Sequence, residues 1–178
     1  ETETKRCGDI VKGLLDFSRK DQDNFEVKNI HELLNATSAL MTHSIKIANI
    51  NLLIDFNAEY DQVYCNQNQI KQAFVAILVN ASEAIQEYGE ITIKTLNPDM
   101  DTIRIEISDT GTGISPDDIS HIFEPFFSTK RDTSGIGLGL AIVHGIIETH
   151  KGKIEVNSIL GKGTIMSIIF PLVGTKEK

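Results

Sequence analysis

The chain has 178 residues, with 17 Lys and Arg against 25 Asp and Glu, a formal net charge of −8. A pI of about 5.1 makes it a poor coat for nucleic-acid phosphates, which need a basic surface, and 40% apolar with 24% charged residues excludes disorder. Cys7 and Cys65 are too few for a disulfide framework or a zinc site and suit a reducing compartment, and no apolar run reaches the roughly 18 residues of a membrane span.

Glu1 in place of Met predicts a piece of a longer chain with parts upstream. Residues 1–20 read as one amphipathic helix, because Cys7, Ile10, Val11, Leu14, Phe17 and Ser18 recur at three-and-four spacing. Such a helix serves equally as a packed element of its own domain or as one arm of a dimerising bundle. Turn residues at 21–24 end it. A short strand follows at 25–28, then a helix over 30–47 whose stripe is Ile30, Leu33, Leu34, Thr37, Leu40, Met41 and Ile45. Strands are expected at 50–57 and 63–65. The clearest helix runs over 67–87, with Ile70, Ala73, Phe74, Ile77, Ala81 and Ala84 on one face, and Gly89 is expected as its left-handed cap.

Two alternating strands, 90–96 and 102–109, flank the Asn97-Pro98-Asp99 turn. Residues 110–136 read as loop with a short helix after Pro116. A helix over 138–150 stops at Gly152, and strands at 153–158 and 164–170 enclose the turn Gly161-Lys162-Gly163. Helices interleaved with antiparallel hairpins predict an α+β fold, a two-layer α/β sandwich with a mixed sheet.

Three residue patterns break simple packing logic. Asn80 falls on the apolar stripe of its helix, where an amide is costly unless satisfied. It is either a core Asn bonded to backbone or an oxygen ligand, and a carbonyl oxygen suits Mg²⁺. Asp109 ends the inward face begun by Ile103, Ile105 and Ile107, just before Thr110-Gly111-Thr112-Gly113. Gly135-Ile136-Gly137-Leu138-Gly139-Leu140 runs into a helix and would expose backbone N–H groups to an anion. It matches neither a dinucleotide fingerprint nor a Walker A loop. Lys130 and Arg131 could meet phosphate. The His residues show no metal-ligand spacing, and His31-Glu32-Leu33-Leu34-Asn35 lacks the second His of a zinc helix.

In their order these motifs resemble those of sensor histidine kinases. Asn80-Ala81-Ser82-Glu83-Ala84 is similar to the N box, Asp109-Thr110-Gly111-Thr112-Gly113-Ile114 to the first glycine box, and Phe123-Glu124-Pro125-Phe126-Phe127-Ser128-Thr129-Lys130 to the F box. Gly135 to Leu140 resembles the second glycine box, and Gly161-Lys162-Gly163-Thr164 the terminal hairpin. Leu14-Leu15-Asp16-Phe17-Ser18-Arg19 is similar to the end of a dimerisation and histidine-phosphotransfer helix.

The resemblance implies the Bergerat ATP-binding fold, with ATP and Mg²⁺ as ligands. It places Mg²⁺ on Asn80 and the adenine amine on Asp109, with Gly111 and Gly113 letting the backbone approach the base. Gly135, Gly137, Gly139 and Lys130 would serve the phosphates from a lid over residues 123–139, and Thr164 would lie beside Asp109. Ala84, Ile114, Leu138 and Leu140 would complete the nucleotide site within those motifs. The implied division is 1–20 as the end of the bundle helix, 21–28 as linker, 29–173 as the catalytic domain and 174–178 as a tail. Implied partners are the histidine-phosphotransfer domain of the same protein, a response-regulator receiver domain and a second copy in a homodimer, in the cytoplasm.

Two departures qualify the resemblance. Related ATPases such as gyrase place a Glu four residues before the N-box Asn, and here that residue is Ala76. A histidine acceptor, nucleophilic when neutral, needs such a base less. The phosphoacceptor box is also expected upstream of residue 1, since His31-Glu32 imitates it but Ala36 replaces the required Pro. The fragment is therefore expected to phosphorylate a supplied bundle domain and not itself. Ala76 keeps open a regulatory module that binds nucleotide without transfer, and a gyrase-type hydrolase is a third reading.

Overall fold

The computed structural model describes residues 24–128 and 137–174. The helix expected over 1–20, Lys130, Gly135 and the tail after 174 lie outside the described residues.

The first strand, β1 (Glu26–Asn29), pairs antiparallel with β3 (Gln62–Cys65), from Glu26↔Cys65 to Asn29↔Gln62. Between them run α1 (Ile30–Ile47) and β2 (Ile50–Phe56). Helix α2 (Gln67–Ala84) leads through a turn to β4 (Gly89–Leu96) and β5 (Thr102–Asp109). A one-turn helix α3 (Pro116–Ile119) precedes α4 (Gly139–Thr149), and the hairpin β6 (Lys153–Ile159) and β7 (Gly163–Pro171) closes the chain. The five-stranded sheet has the order β2-β4-β5-β7-β6, with β2 parallel to β4 and all other pairs antiparallel. The expected α+β sandwich with a mixed sheet is what these elements build.

One face of the sheet holds the core. Alternation directs Ile91 and Ile93 of β4, Ile103, Ile105 and Ile107 of β5, and Met166, Ile168 and Phe170 of β7 inward, all buried. Against them lie Phe74, Ile77, Leu78 and Ala81 of α2, and Val143, Ile146 and Ile147 of α4. Each such large side chain stabilises the fold by roughly 1.5–3 kcal/mol relative to exposure. The opposite face is polar: Arg104 meets Glu155 at 3.4 Å, and Lys153 meets the same carboxylate at 2.6 Å.

Two expectations near the end of α2 need correction. The helix stops at Ala84 rather than residue 87, because Ile85 turns extended (φ −91°, ψ 120°) and Thr112 N–H takes the Ala84 carbonyl at 3.0 Å. Gly89 opens β4 and is not a left-handed cap, for its φ is not positive.

His150 joins three parts of the domain. Its Nε2 accepts the Asn66 N–H at 3.0 Å, at the N-cap of α2, and its Nδ1–H donates to Ile146 O at 2.7 Å. Phe25 stacks on the ring at 4.8 Å between centroids. Burial holds its pKa below the usual 6.5, and a protonated Nε2 would face the Asn66 donor with another N–H. Below about pH 6.5 the unfolded chain takes up a proton that the folded chain refuses, so stability falls with pH down to the depressed folded value. His150→Leu is expected to cost about 2 kcal/mol at pH 8 and to narrow that gap at pH 5.5. Urea unfolding of both chains checks it, and an equal gap at both pH values would refute it.

Cys65, fully buried in β3, has its thiol pushed up to about 11 by burial, which keeps it an inert apolar side chain. Beyond β7, Val173 N–H returns to Gln62 O of β3 at 2.9 Å.

Candidate functional site

The site forms where the last turn of α2, the loop after β5, the β6–β7 turn and the start of α4 converge. Alternation along β5 carries Asp109 onto the inward face behind three buried isoleucines, as expected. Its Oδ1 accepts the Gly111 N–H at 2.8 Å. Burial pushes its carboxyl above the ordinary carboxylate range, although the N–H groups of Gly111 and Thr164 pull the other way. A partly desolvated carboxylate with open lone pairs is a recognition group for a hydrogen-bond donor.

The loop that follows is fastened at every step. Thr110 N–H bonds Glu90 O at 3.1 Å, and Thr112 O accepts Gly161 N–H at 2.7 Å. Ile114 N–H reaches Ser158 Oγ at 2.8 Å. Gly113 has φ 69°, and a Cβ there would overlap the Ile159 carbonyl. The loop thus lies directly against the β6–β7 hairpin, with only backbone between them. Ala84, half-buried, closes the other side through its bond to Thr112.

Thr164, buried, pairs directly with Asp109 across β5 and β7. Asn80 differs from expectation: it is half-buried at the rim of the stripe, while Ile77 and Ala81 are buried beside it. Its Nδ2 lies 3.9 Å from where a Cβ on Gly139 would stand, so the amide faces the start of α4. Leu138 caps that helix with no side-chain bond to its first N–H groups, and Gly139 and Leu140 form its first turn. Among the described residues no side chain caps those N–H groups, and the positive end of the helix dipole lies behind them. Ala76, one turn before Asn80, packs on the core and offers no carboxylate.

Gly137 ties down one end of the expected lid, since its carbonyl accepts the Phe126 N–H at 2.9 Å. Phe126 itself is exposed and held at φ 69°. The structure thus sets Ala84, Asp109, Gly111, Gly113, Ile114 and Thr164 around the loop after β5. Asn80, one turn of α2 before Ala84, lies beside Gly139, with Leu138 and Leu140 flanking that glycine. A hollow of about 280 Å³ lined by Ser108, Asn157, Lys162 and Ile165 lies beside Asp109 and Thr164. Strand alternation puts Ser108, Asn157 and Ile165 on the polar face, so this hollow is behind the site rather than within it.

Sequence reading missed Ser158, which bonds both the glycine loop and the β6–β7 turn. The signal was present: Ser158 ends the inward alternation of Ile154 and Val156, as Asp109 ends that of the β5 isoleucines.

Residues 65–174 match the family described as histidine kinase-, DNA gyrase B-, and HSP90-like ATPase. Sporulation kinase E of Bacillus subtilis is 35% identical over 99% of this chain and 24% of its own length. Sensor histidine kinase ZraS of Salmonella typhi is 31% identical over 98% of this chain and 37% of its own. The chain therefore spans well under half of these relatives. Among solved structures, the catalytic domain of histidine kinase ThkA superposes with a TM-score of 0.74 at 30% identity, covering 84% of this chain and 98% of that one. Histidine kinase ThkA in complex with the response regulator protein TrrA gives 0.76 at 29% identity, covering 98% of this chain and 50% of that one.

Proposed function

Since the chain belongs to the histidine kinase-, DNA gyrase B-, and HSP90-like ATPase family and carries the ATP-binding domain of a sensor histidine kinase, we propose that it is the phosphoryl-donating part of such a kinase. ATP sits with its base at Asp109 and Thr164 and its phosphates at the start of α4. The γ-phosphoryl goes to a histidine on a bundle helix before residue 1, and from there to a response-regulator aspartate. The observation that carries this reading is Asp109, a buried-face carboxylate with a raised pKa in a loop built to let a base approach.

Mg²⁺ fits the residues present. The half-buried Asn80 amide lies beside Gly139 at the start of α4, and its carbonyl oxygen would be a suitable ligand for the ion. Bound there, the ion would neutralise charge on the phosphates. The chain's own residues do the rest: the α4 amides orient the phosphates, and Lys130, Gly135 and Gly137 serve them from the lid. Ala76 supplies no base to activate water, which favours transfer to histidine over hydrolysis.

His31 is a poor acceptor. Its Nε2 lies 2.8 Å from Thr95 Oγ1, its Nδ1 3.4 Å from Asp61, and its ring stacks on Phe56 at 4.4 Å. Both nitrogens are engaged, which agrees with an acceptor on the phosphotransfer domain rather than at His31. Residues 1–20 would end that domain's helix and 174–178 form a tail. The linker expected over 21–28 is shorter on this reading, since Phe25 stacks on His150 and Glu26 opens β1, which leaves 21–24 to join the helix to the catalytic domain. Among the described residues no helix is long and apolar enough to cross a membrane. Work on the cytoplasmic side, as a homodimer paired with a receiver domain, completes the reading.

Incubation with radiolabelled ATP, alone and with a separate histidine-bearing bundle domain, tests it. Acid-labile label on the added domain, with none on His31, is expected. ATP binding without transfer would instead favour a regulatory module, and steady phosphate release a hydrolase. Asn80→Ala is expected to weaken Mg²⁺-dependent ATP binding roughly tenfold, with binding in excess EDTA unchanged. Equal weakening under both conditions would remove Asn80 from the metal.

A further inference from the structure

Ser158 stands where the two walls of the base end meet. Its Oγ accepts the Ile114 N–H at 2.8 Å, donates to Gly163 O at 3.0 Å, and lies 2.8 Å from Thr164 Oγ1. A serine hydroxyl has one proton and two lone pairs. Ile114 occupies one lone pair, and Gly163 O, which can only accept, takes the proton. The remaining place is the second lone pair, and Thr164 fills it by donating its own proton. Thr164 Oγ1 is left with acceptor capacity alone, on the residue paired with Asp109.

Resting on the ATP-binding reading above, we propose that Ser158 is a positioning residue that holds Thr164 as a second acceptor beside Asp109, so that the site selects a purine bearing an exocyclic amine over its oxo counterpart. An amine carries two N–H donors for two acceptors. An oxo group brings lone pairs against lone pairs, and such mismatched polar groups are what a hydrogen-bonding site rejects. Without the Ser158 hydroxyl, Thr164 turns its proton toward the base and accommodates the oxo group. A serine that only supported the fold would weaken both nucleotides alike.

Equilibrium titration of the 178-residue chain with ATP and with inosine triphosphate, at one Mg²⁺ concentration, reads the ratio of the two affinities. Ser158→Ala is expected to lower that ratio roughly fivefold, and Ser158→Thr, which keeps the hydroxyl, to restore it. Thr164→Val is isosteric and lowers the ratio by itself, and in that background Ser158→Ala changes it no further. Should Ser158→Ala fail to fold, an unchanged ratio in Thr164→Val overturns the proposal. An unchanged ratio in folded Ser158→Ala overturns it directly, as does native chain that binds both nucleotides equally. Native chain that binds neither nucleotide overturns the ATP reading itself, and this inference with it.

Discussion

Asp109→Asn is expected to lose more than a hundredfold in ATP affinity while its thermal midpoint holds or rises. The Gly111 N–H, 2.8 Å from Oδ1, fixes which way an amide would sit. The Asn oxygen keeps that bond, and its NH₂ is turned into the site, donor against the adenine amine. A hydrogen bond to a charged group is lost, worth about 1.5–3 kcal/mol, and a donor is left unsatisfied at about 1–3 kcal/mol more. At 1.4 kcal/mol per tenfold the midpoint of the sum, about 4 kcal/mol, exceeds a hundredfold. Stability does not suffer, because burial already disfavours the charge on Asp109. The folded state binds the proton more tightly than the unfolded state, so between the ordinary and raised pKa values stability falls as pH rises. ATP affinity runs the other way and weakens as pH drops through the raised pKa. Calorimetric titration with ATP across pH, beside thermal melts, checks both signs. Retention of affinity within tenfold would remove Asp109 from the base.

Gly163→Ala is expected to be the most damaging glycine change, lowering the thermal midpoint by about 10 °C or more and removing ATP binding with it. Gly163 has φ 112°, and a Cβ there would overlap the Asp109 carbonyl. That carbonyl belongs to sheet backbone and has no side-chain freedom with which to give way. Backbone strain of about 1–3 kcal/mol adds to overpacking of about 1–3 kcal/mol. For a chain of this size each kcal/mol moves the midpoint about 2–4 °C. Asp109 pairs with Thr164, the next residue, so prying the strands apart there splits the two acceptors. Gly145→Ala is the control: on an exposed part of α4 with nothing within 4 Å of the added Cβ, it should raise the midpoint slightly. A Gly163→Ala chain that melts within a few degrees of native would refute the contact.

Most of the fold was legible because its signals are local. Alternation in β5 and β7 and the apolar stripes of α1 and α2 set element types and inward faces to within a residue or two. The end of α2 was not legible, because it depends on a bond from Thr112, distant in the sequence, to the Ala84 carbonyl. The parallel neighbours β2 and β4 are likewise fixed only by tertiary pairing. At the site, Asp109 could be read as a polar residue ending an apolar face. Asn80 could be placed on its helix, but its half-burial depends on how α4 packs opposite it. Ser158 obeys the same alternation as Asp109. A small hydroxyl is tolerated so widely that nothing in the strand itself marks it as a junction.

The bonding around β3 bears on how such a unit can be rearranged. Glu26 pairs with Cys65 at one end of this four-residue strand, and Val173 bonds Gln62 at the other. The two ends of the folded unit therefore leave it about 10 Å apart, one short strand length. A brief peptide could join them, and the Asn97-Pro98-Asp99 turn, far along the chain, could be cut to give new ends. The unit is thus shaped as a cassette, open to circular permutation or to insertion into a host protein at one corner.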